Sequence, residues 1–207
     1  MDLETNPGEV LVEFDNRNSE ITGNFYVDDS WKKSNIRLKS GTEIKNMLVR
    51  YDLEYDMLEV KLSGNTKVVP LRKLDHYRVI EQNETIVFRN CDVYAFEDGT
   101  ELAGICRVID EGYYGGIIKY TYHIKDATYV PALDMGDQND KIIIKQNLFL
   151  TKDNILYRIP SRKREFYSFF INPGLDIKSY MVKNHLNHKE PEDLEKILKF
   201  INKKGHP

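Results

Sequence analysis

Short alternations of apolar and polar residues run through most of this chain, and they give way to helical spacing only near its end. The alternation is organised around a pattern that occurs twice, Ile36–Asp52 (IRLKSGTEIKNMLVRYD) and Tyr94–Asp110 (YAFEDGTELAGICRVID). Each copy sets one apolar strand before a Gly-Thr-Glu turn and another after it. Ile36 and Leu38 alternate with Arg37 and Lys39, the period of a half-buried strand. Gly41 and Gly99 stand 58 residues apart, a spacing too long for a short solenoid repeat and suited to two halves of one sheet.

Other strands follow the same logic. Residues 1–8 are polar and loose, Val10–Phe14 is a strand, Asp15–Ser19 a turn, and Ile21–Val27 a second strand. Met57–Leu62 and Thr66–Leu71 flank Ser63-Gly64-Asn65, and Tyr77–Ile80 and Thr85–Phe88 flank a polar turn. The segment Glu111–Gly116 (EGYYGG) marks a bend or bulge, because glycine weakens a regular ladder. Ile118, Tyr120, Tyr122 and Ile124 then alternate with Lys119, Thr121 and His123. Asp134–Asp140 reads as a polar loop, and Lys141–Leu150 with Asn154–Ile159 as a last hairpin. Ten to twelve short strands without helices between them predict a mainly β protein, an antiparallel meander, sandwich or barrel-like sheet.

After Pro160 the period changes. A short helix from Ser161 through Phe170 ends at Asn172-Pro173-Gly174, and a second runs from Asp176 to Asn184. A third begins at Pro191, carries Glu192 and Asp193 at the positive end of its dipole, and closes at Lys203-Lys204-Gly205. Leu194, Ile197, Leu198 and Ile201 form one apolar stripe on it. This predicts a β domain over residues 1–160 with a helical segment, 161–207, packed on it. A helix that short is marginal alone, so the stripe must be covered.

Composition narrows the function little. The chain has 207 residues, is 41% hydrophobic, and favours tyrosine, with 13 against a single tryptophan. That is ordinary for a folded β-rich protein. The net charge of −3 gives no general attraction to nucleic acid, and no apolar run is long enough to cross a bilayer. Residues 161–207 carry ten Lys/Arg and six Asp/Glu, a mild asymmetry that a solvated helical face explains.

The strand–Gly-Thr–strand element Ile36–Tyr51, the Val49-Arg50-Tyr51-Asp52 arm, the Tyr-rich strand near 120 and the closing SRKREFYSFF, IKSYMVKNHLN and EDLEKILKFIN helices resemble a family of Bacteroidota envelope proteins. The precursors of that family carry signal peptides. The resemblance spans roughly residues 31–203 and implies export to the periplasm or cell surface, with no known activity. Without it, the start MDLETNPGEV, which lacks the basic and apolar regions of a signal peptide, would suit a cytoplasmic protein equally.

Candidate chemistry is sparse. No phosphate loop, nucleophile elbow or zinc-type cysteine pair occurs. His185 and His188 have a ligand-like spacing but sit at a helix end without a third ligand. Asp134, Asp137 and Asp140 could face a hard cation but lack the alternation of a calcium loop. Arg158, Arg162, Lys163 and Arg164 lie beside Phe166, Tyr167, Phe169 and Phe170, which packing explains better than single-stranded nucleic acid does.

The cysteines turn on loop length. A two-residue loop at Asp98-Gly99 would set Cys91 opposite Cys106. A three-residue loop ending in a left-handed Gly99 shifts the register by one and sends the side chains to opposite faces. The first hairpin prefers the second option, with Ile36 against Ile44 and Arg37 against Glu43, which predicts two thiols rather than a disulfide.

The remaining candidate is Tyr113-Tyr114. Flanking glycines leave both rings prominent on a bend, where tyrosine concentrates binding energy, unless one ring folds back over the sheet edge. The sequence thus predicts a non-catalytic binding or scaffolding protein of the envelope, with a protein or another envelope component as partner and no cofactor or metal. A barrel-like carrier of a small apolar ligand is the alternative, and an enzyme with a site assembled from distant strands the third class.

Overall fold

The computed structural model describes residues 12–13, 21–81, 84–130, 132–170 and 175–204. The loose start, the rest of the Val10–Phe14 strand, the Asp15–Ser19 turn, the Asn172–Gly174 break and Gly205 lie outside the described residues. The protein is mainly β, with its described α-helices gathered after Pro160. The chain divides into two compact units, Met1–Asn90 with Tyr120–Gln146, and Cys91–Lys119 with Asn147–Pro207.

In the first unit, β1 (Val12–Glu13), β2 (Lys32–Leu38), β3 (Glu43–Asp52), β4 (Met57–Leu62), β5 (Asn65–Val69), β6 (Leu74–Glu81) and β7 (Glu84–Asn90) run in the order β1-β5-β4-β3-β2-β6-β7. Every described pairing among them is antiparallel. The β2–β3 turn has the form its sequence predicts. Gly41 sits at φ +89°, its N–H reaches the Leu38 carbonyl, and Ile36 faces Ile44 while Arg37 faces Glu43. Only glycine holds that left-handed conformation at little cost.

Ile36, Val49, Tyr51, Leu58, Val60, Leu74, Tyr77 and Val79 form the buried core of this unit. Ile21–Val27, predicted as a strand, makes only isolated bridges, Thr22 with Lys141 and Tyr26 with Asp52. Asn24 accepts the Tyr26 N–H through its side chain, a local bond that competes with a continuous ladder.

The second unit contains β8 (Ala95–Phe96), β9 (Ile105–Asp110), β12 (Ile155–Arg158) and the ends of two long strands, β10 (Gly115–Lys125) and β11 (Lys141–Lys152), in the order β9-β10-β11-β12-β8. The bulge predicted near the glycines falls between Gly116 and Ile117. Both faces of this sheet are covered, and adjacent residues divide between them. Leu150 and Tyr157 face the helices α1 (Lys163–Phe169), α2 (Ile177–Lys183) and α3 (Pro191–Lys204), whereas Phe149 and Leu156 face a cluster with Tyr94 and Ile117. The α3 stripe of Leu194, Ile197, Leu198 and Ile201 is wholly buried, worth about 1.5–3 kcal/mol per side chain. Asp176 caps α2 by accepting the Ser179 N–H at 2.9 Å.

The second Gly-Thr-Glu turn repeats the first at its tip. Gly99 has φ +82°, its N–H reaches the Phe96 carbonyl, and Ala95 faces Glu101 as Arg37 faces Glu43. Beyond the tip the likeness ends. The incoming arm is a single 3-10 turn at Cys91–Val93 followed by the two-residue β8, which pairs in parallel with β12. Cys91 and Cys106 are thiols, in agreement with the sequence reading, but not because they face apart. Both lie in the one cluster with Tyr94 and Ile117, since Cys91 sits in a turn and no longer follows strand alternation.

Candidate functional site

The bend carrying Tyr113 and Tyr114 is shaped by what approaches it. A Cβ on Gly112 would stand 1.9 Å from Asn202 Nδ2 of α3, one on Gly116 2.7 Å from Leu198 Cδ1, and one on Gly115 2.8 Å from the Asp110 carbonyl. These glycines therefore make room for α3 and for the chain itself. Asn202 clamps the bend: its Oδ1 accepts the Tyr114 N–H at 3.1 Å, and its Nδ2 donates to the Tyr114 carbonyl at 2.9 Å. The two rings consequently separate in role. Tyr114 is 4% exposed and packs edge-on against Phe169 and Phe170, while Tyr113 is 39% exposed. The expectation of two prominent rings thus holds for Tyr113 alone, and the fold-back weighed as its alternative describes Tyr114. The Lys152 ammonium donates to the Tyr113 hydroxyl oxygen, a bond that holds the Lys152 pKa above its ordinary value and braces the exposed ring.

The two histidines do not converge. His185 is exposed just past α2 at φ +54°, and His188 is buried against Phe166 with its Nε2 donating to the Pro160 carbonyl at 2.9 Å. Burial pushes the His188 pKa below its ordinary value, with Lys189 and Lys163 adding to the effect and the Pro160 bond opposing it. In the basic–aromatic cluster, Phe166 and Phe170 lie in the core of the second unit, with Tyr167 and Phe169 packed against them.

The aspartates of the 134–140 loop each have a separate task. Asp137 pairs with Lys125 at 3.2 Å and with Lys141, Asp140 accepts the Ala127 N–H at 2.8 Å, and Asp134 accepts the Tyr129 hydroxyl at 2.7 Å. Among the described residues no three potential metal ligands come together. The two lysines hold the Asp137 carboxyl below the usual range, and the Asp134 bond raises the Tyr129 hydroxyl above its own.

These bonds close the stem of a hairpin that belongs to the first unit. Thr128 N–H donates to the Asp137 carbonyl at 2.9 Å, Val130 and Met135 bridge, and a Cβ on Gly136 would stand 2.4 Å from the Thr128 carbonyl oxygen. At and beyond that last bridge, Val130 is 45% exposed, Leu133 67% and Met135 66%. An apolar tip is thereby held in water on a hydrogen-bonded stem. The sequence reading missed it because the aspartates dominate the segment's composition; the available signal was Val130, Leu133 and Met135 spaced along a stretch otherwise suited to a turn.

Compared with protein-family models, curated proteins and solved structures, the chain matches none.

Two outcomes follow from these placements. Tyr114→Ala should cost about 3–5 kcal/mol, as for a large buried aromatic, and Tyr113→Ala less than about 1 kcal/mol, in chemical denaturation. Equal losses would contradict the assignment. For His188, the folded-state pKa lies below the unfolded one, so the unfolded chain binds its proton first. Stability should be full above about pH 6.5 and fall as the pH drops through that value toward the folded pKa. The melting temperature of the wild type should therefore drop more between pH 7.5 and 5.5 than that of His188→Gln, and equal slopes would contradict it.

Proposed function

We propose that the protein is a non-catalytic binding or scaffolding protein of the cell envelope that engages a protein partner through the tip formed by Val130, Leu133 and Met135. The observation that carries this is the exposure of three large apolar side chains on one closed hairpin. Isolated apolar residues on a surface are ordinary, but three within six residues at the end of one bridged hairpin suit an interaction site. The stem reduces what docking would cost, because the tip's backbone is already ordered before contact.

The ionisable groups around the tip support binding over proton transfer. Asp137 is held as a carboxylate by Lys125 and Lys141, and Tyr129 is held as a phenol by Asp134, so neither is poised near neutral pH. Asp126 and Asp134 on the exposed surface favour a partner whose apolar socket is rimmed by basic groups. The envelope compartment rests only on the family resemblance of the Ile36–Tyr51 element, the Val49–Asp52 arm, the Tyr-rich strand near 120 and the closing helices. No described helix is long and apolar enough to cross a membrane.

A photo-reactive phenylalanine analogue at Leu133 tests the reading in cells. It should give a discrete protein adduct that Met135→Asp abolishes, while the same analogue at exposed Lys178 gives none. Met135→Asp should leave the melt within about 0.5 kcal/mol of wild type, since the site is on the surface. An adduct formed only with lipid, or none at all, would overturn the proposal.

A further inference from the structure

The first unit also holds a pocket on one face of its sheet, and none of the sequence candidates lies in it. Its non-protein space, counting the open mouth, is about 420 Å³. The register explains how it forms. Lys32 on β2 stands opposite Val49 on β3, Tyr77 on β6 opposite Phe88 on β7, Val79 opposite Ile86, and Glu81 opposite Glu84. Residues directly opposite share a face, so an apolar floor and a charged rim rise from the same side of the strands.

The floor is Val49, Val79 and Ile86 with the rings of Tyr77 and Phe88. Those two rings lie parallel, with centroids 4.8 Å apart and planes 2° from each other. Across the mouth, Lys32 Nζ lies 3.0 Å from Asp28 Oδ2 and 2.8 Å from Glu81 Oε1. Asp28 is itself fixed by Ser30, whose N–H and hydroxyl donate to Oδ1 at 2.9 and 2.6 Å. The one other cation in the lining, Arg50, is turned to Glu59 at 2.7 Å and to the Tyr26 hydroxyl at 2.8 Å. The rim therefore carries two carboxylates, Asp28 and Glu81, against one ammonium, with Glu84 adding a third negative charge beside Glu81.

We propose that this pocket binds a small organic ammonium: an amine on a compact aromatic or branched apolar body, with the body on the Tyr77–Phe88 floor and the ammonium between Asp28 and Glu81. Lys32 occupies that ammonium position in the structure and shows the geometry that it requires. Its stem is flexible and its side chain 31% exposed, so it can swing outward when a ligand takes its place. The paired rim carboxylates favour a cation over a neutral or anionic ligand of the same shape. The Asp28 carboxylate remains ionised, because burial raises its pKa less than the bonds from Ser30 and Lys32 lower it.

Three isosteric probes, benzylamine, benzyl alcohol and benzoate, test the charge preference on the full chain by amide chemical-shift titration. Benzylamine should saturate with shifts at Val79, Phe88 and Lys32, benzyl alcohol should bind at least about tenfold more weakly, and benzoate should produce no saturable shift. Glu81→Gln, at a half-exposed position, should weaken benzylamine about tenfold, whereas Lys32→Met should strengthen it by removing its competitor. Benzoate binding that Lys32→Met abolishes would overturn the proposal in favour of an anion site. Equal binding of all three probes, or saturation by none, would overturn it as well.

Discussion

The bend at Tyr113-Tyr114 and the seat of α3 in the second unit depend on the clamp of Asn202 on the Tyr114 backbone. A bend at the head of a strand leaves backbone groups that the ladder cannot satisfy, and burial without partners would cost about 1–3 kcal/mol each. Asn202 answers both the N–H and the carbonyl of Tyr114 and also reaches Asp110 at 3.3 Å. It comes that close because residue 112 lacks a Cβ, and Leu198 settles over residue 116 for the same reason. The α3 stripe then lies on the sheet of the second unit, Tyr114 turns inward against Phe169 and Phe170, and Tyr113 is left outside.

What could be read from the chain was what local chemistry decides. The Gly-Thr-Glu turns form as predicted because a left-handed glycine sets loop length, and loop length sets register. The α3 helix begins at Pro191 because proline at the first helical position loses no hydrogen bond. The arm before Gly99 could not be read that way. Its apolar residues suit a strand, but Cys91–Val93 tightens into a turn whose Cys91 N–H reaches the Gly104 carbonyl, a contact of tertiary origin. The fate of the two cysteines followed from that turn and not from alternation.

The candidate sites were less legible than the fold. Glycines beside Tyr113 and Tyr114 suggested a loose, exposed bend, yet in the structure they are the points of closest approach by α3. The same residue type signals freedom or crowding according to what lies opposite, which one sequence does not contain. The acidic loop hid an apolar tip because Asp134, Asp137 and Asp140 are structural here, each engaged by a residue of the same hairpin. The pocket above Tyr77 and Phe88 depends on lateral register between β6 and β7, and no motif announces it.

The clamp itself can be measured directly. Asn202→Ala keeps the helix and its apolar stripe but removes the two side-chain bonds from Asn202 to the Tyr114 backbone. Its unfolding free energy should fall by about 2–3 kcal/mol, against less than about 0.5 kcal/mol for Lys203→Ala on the exposed side of the next position. If the two variants unfolded alike, the bend would not depend on α3, and the separation of Tyr113 from Tyr114 would need another cause.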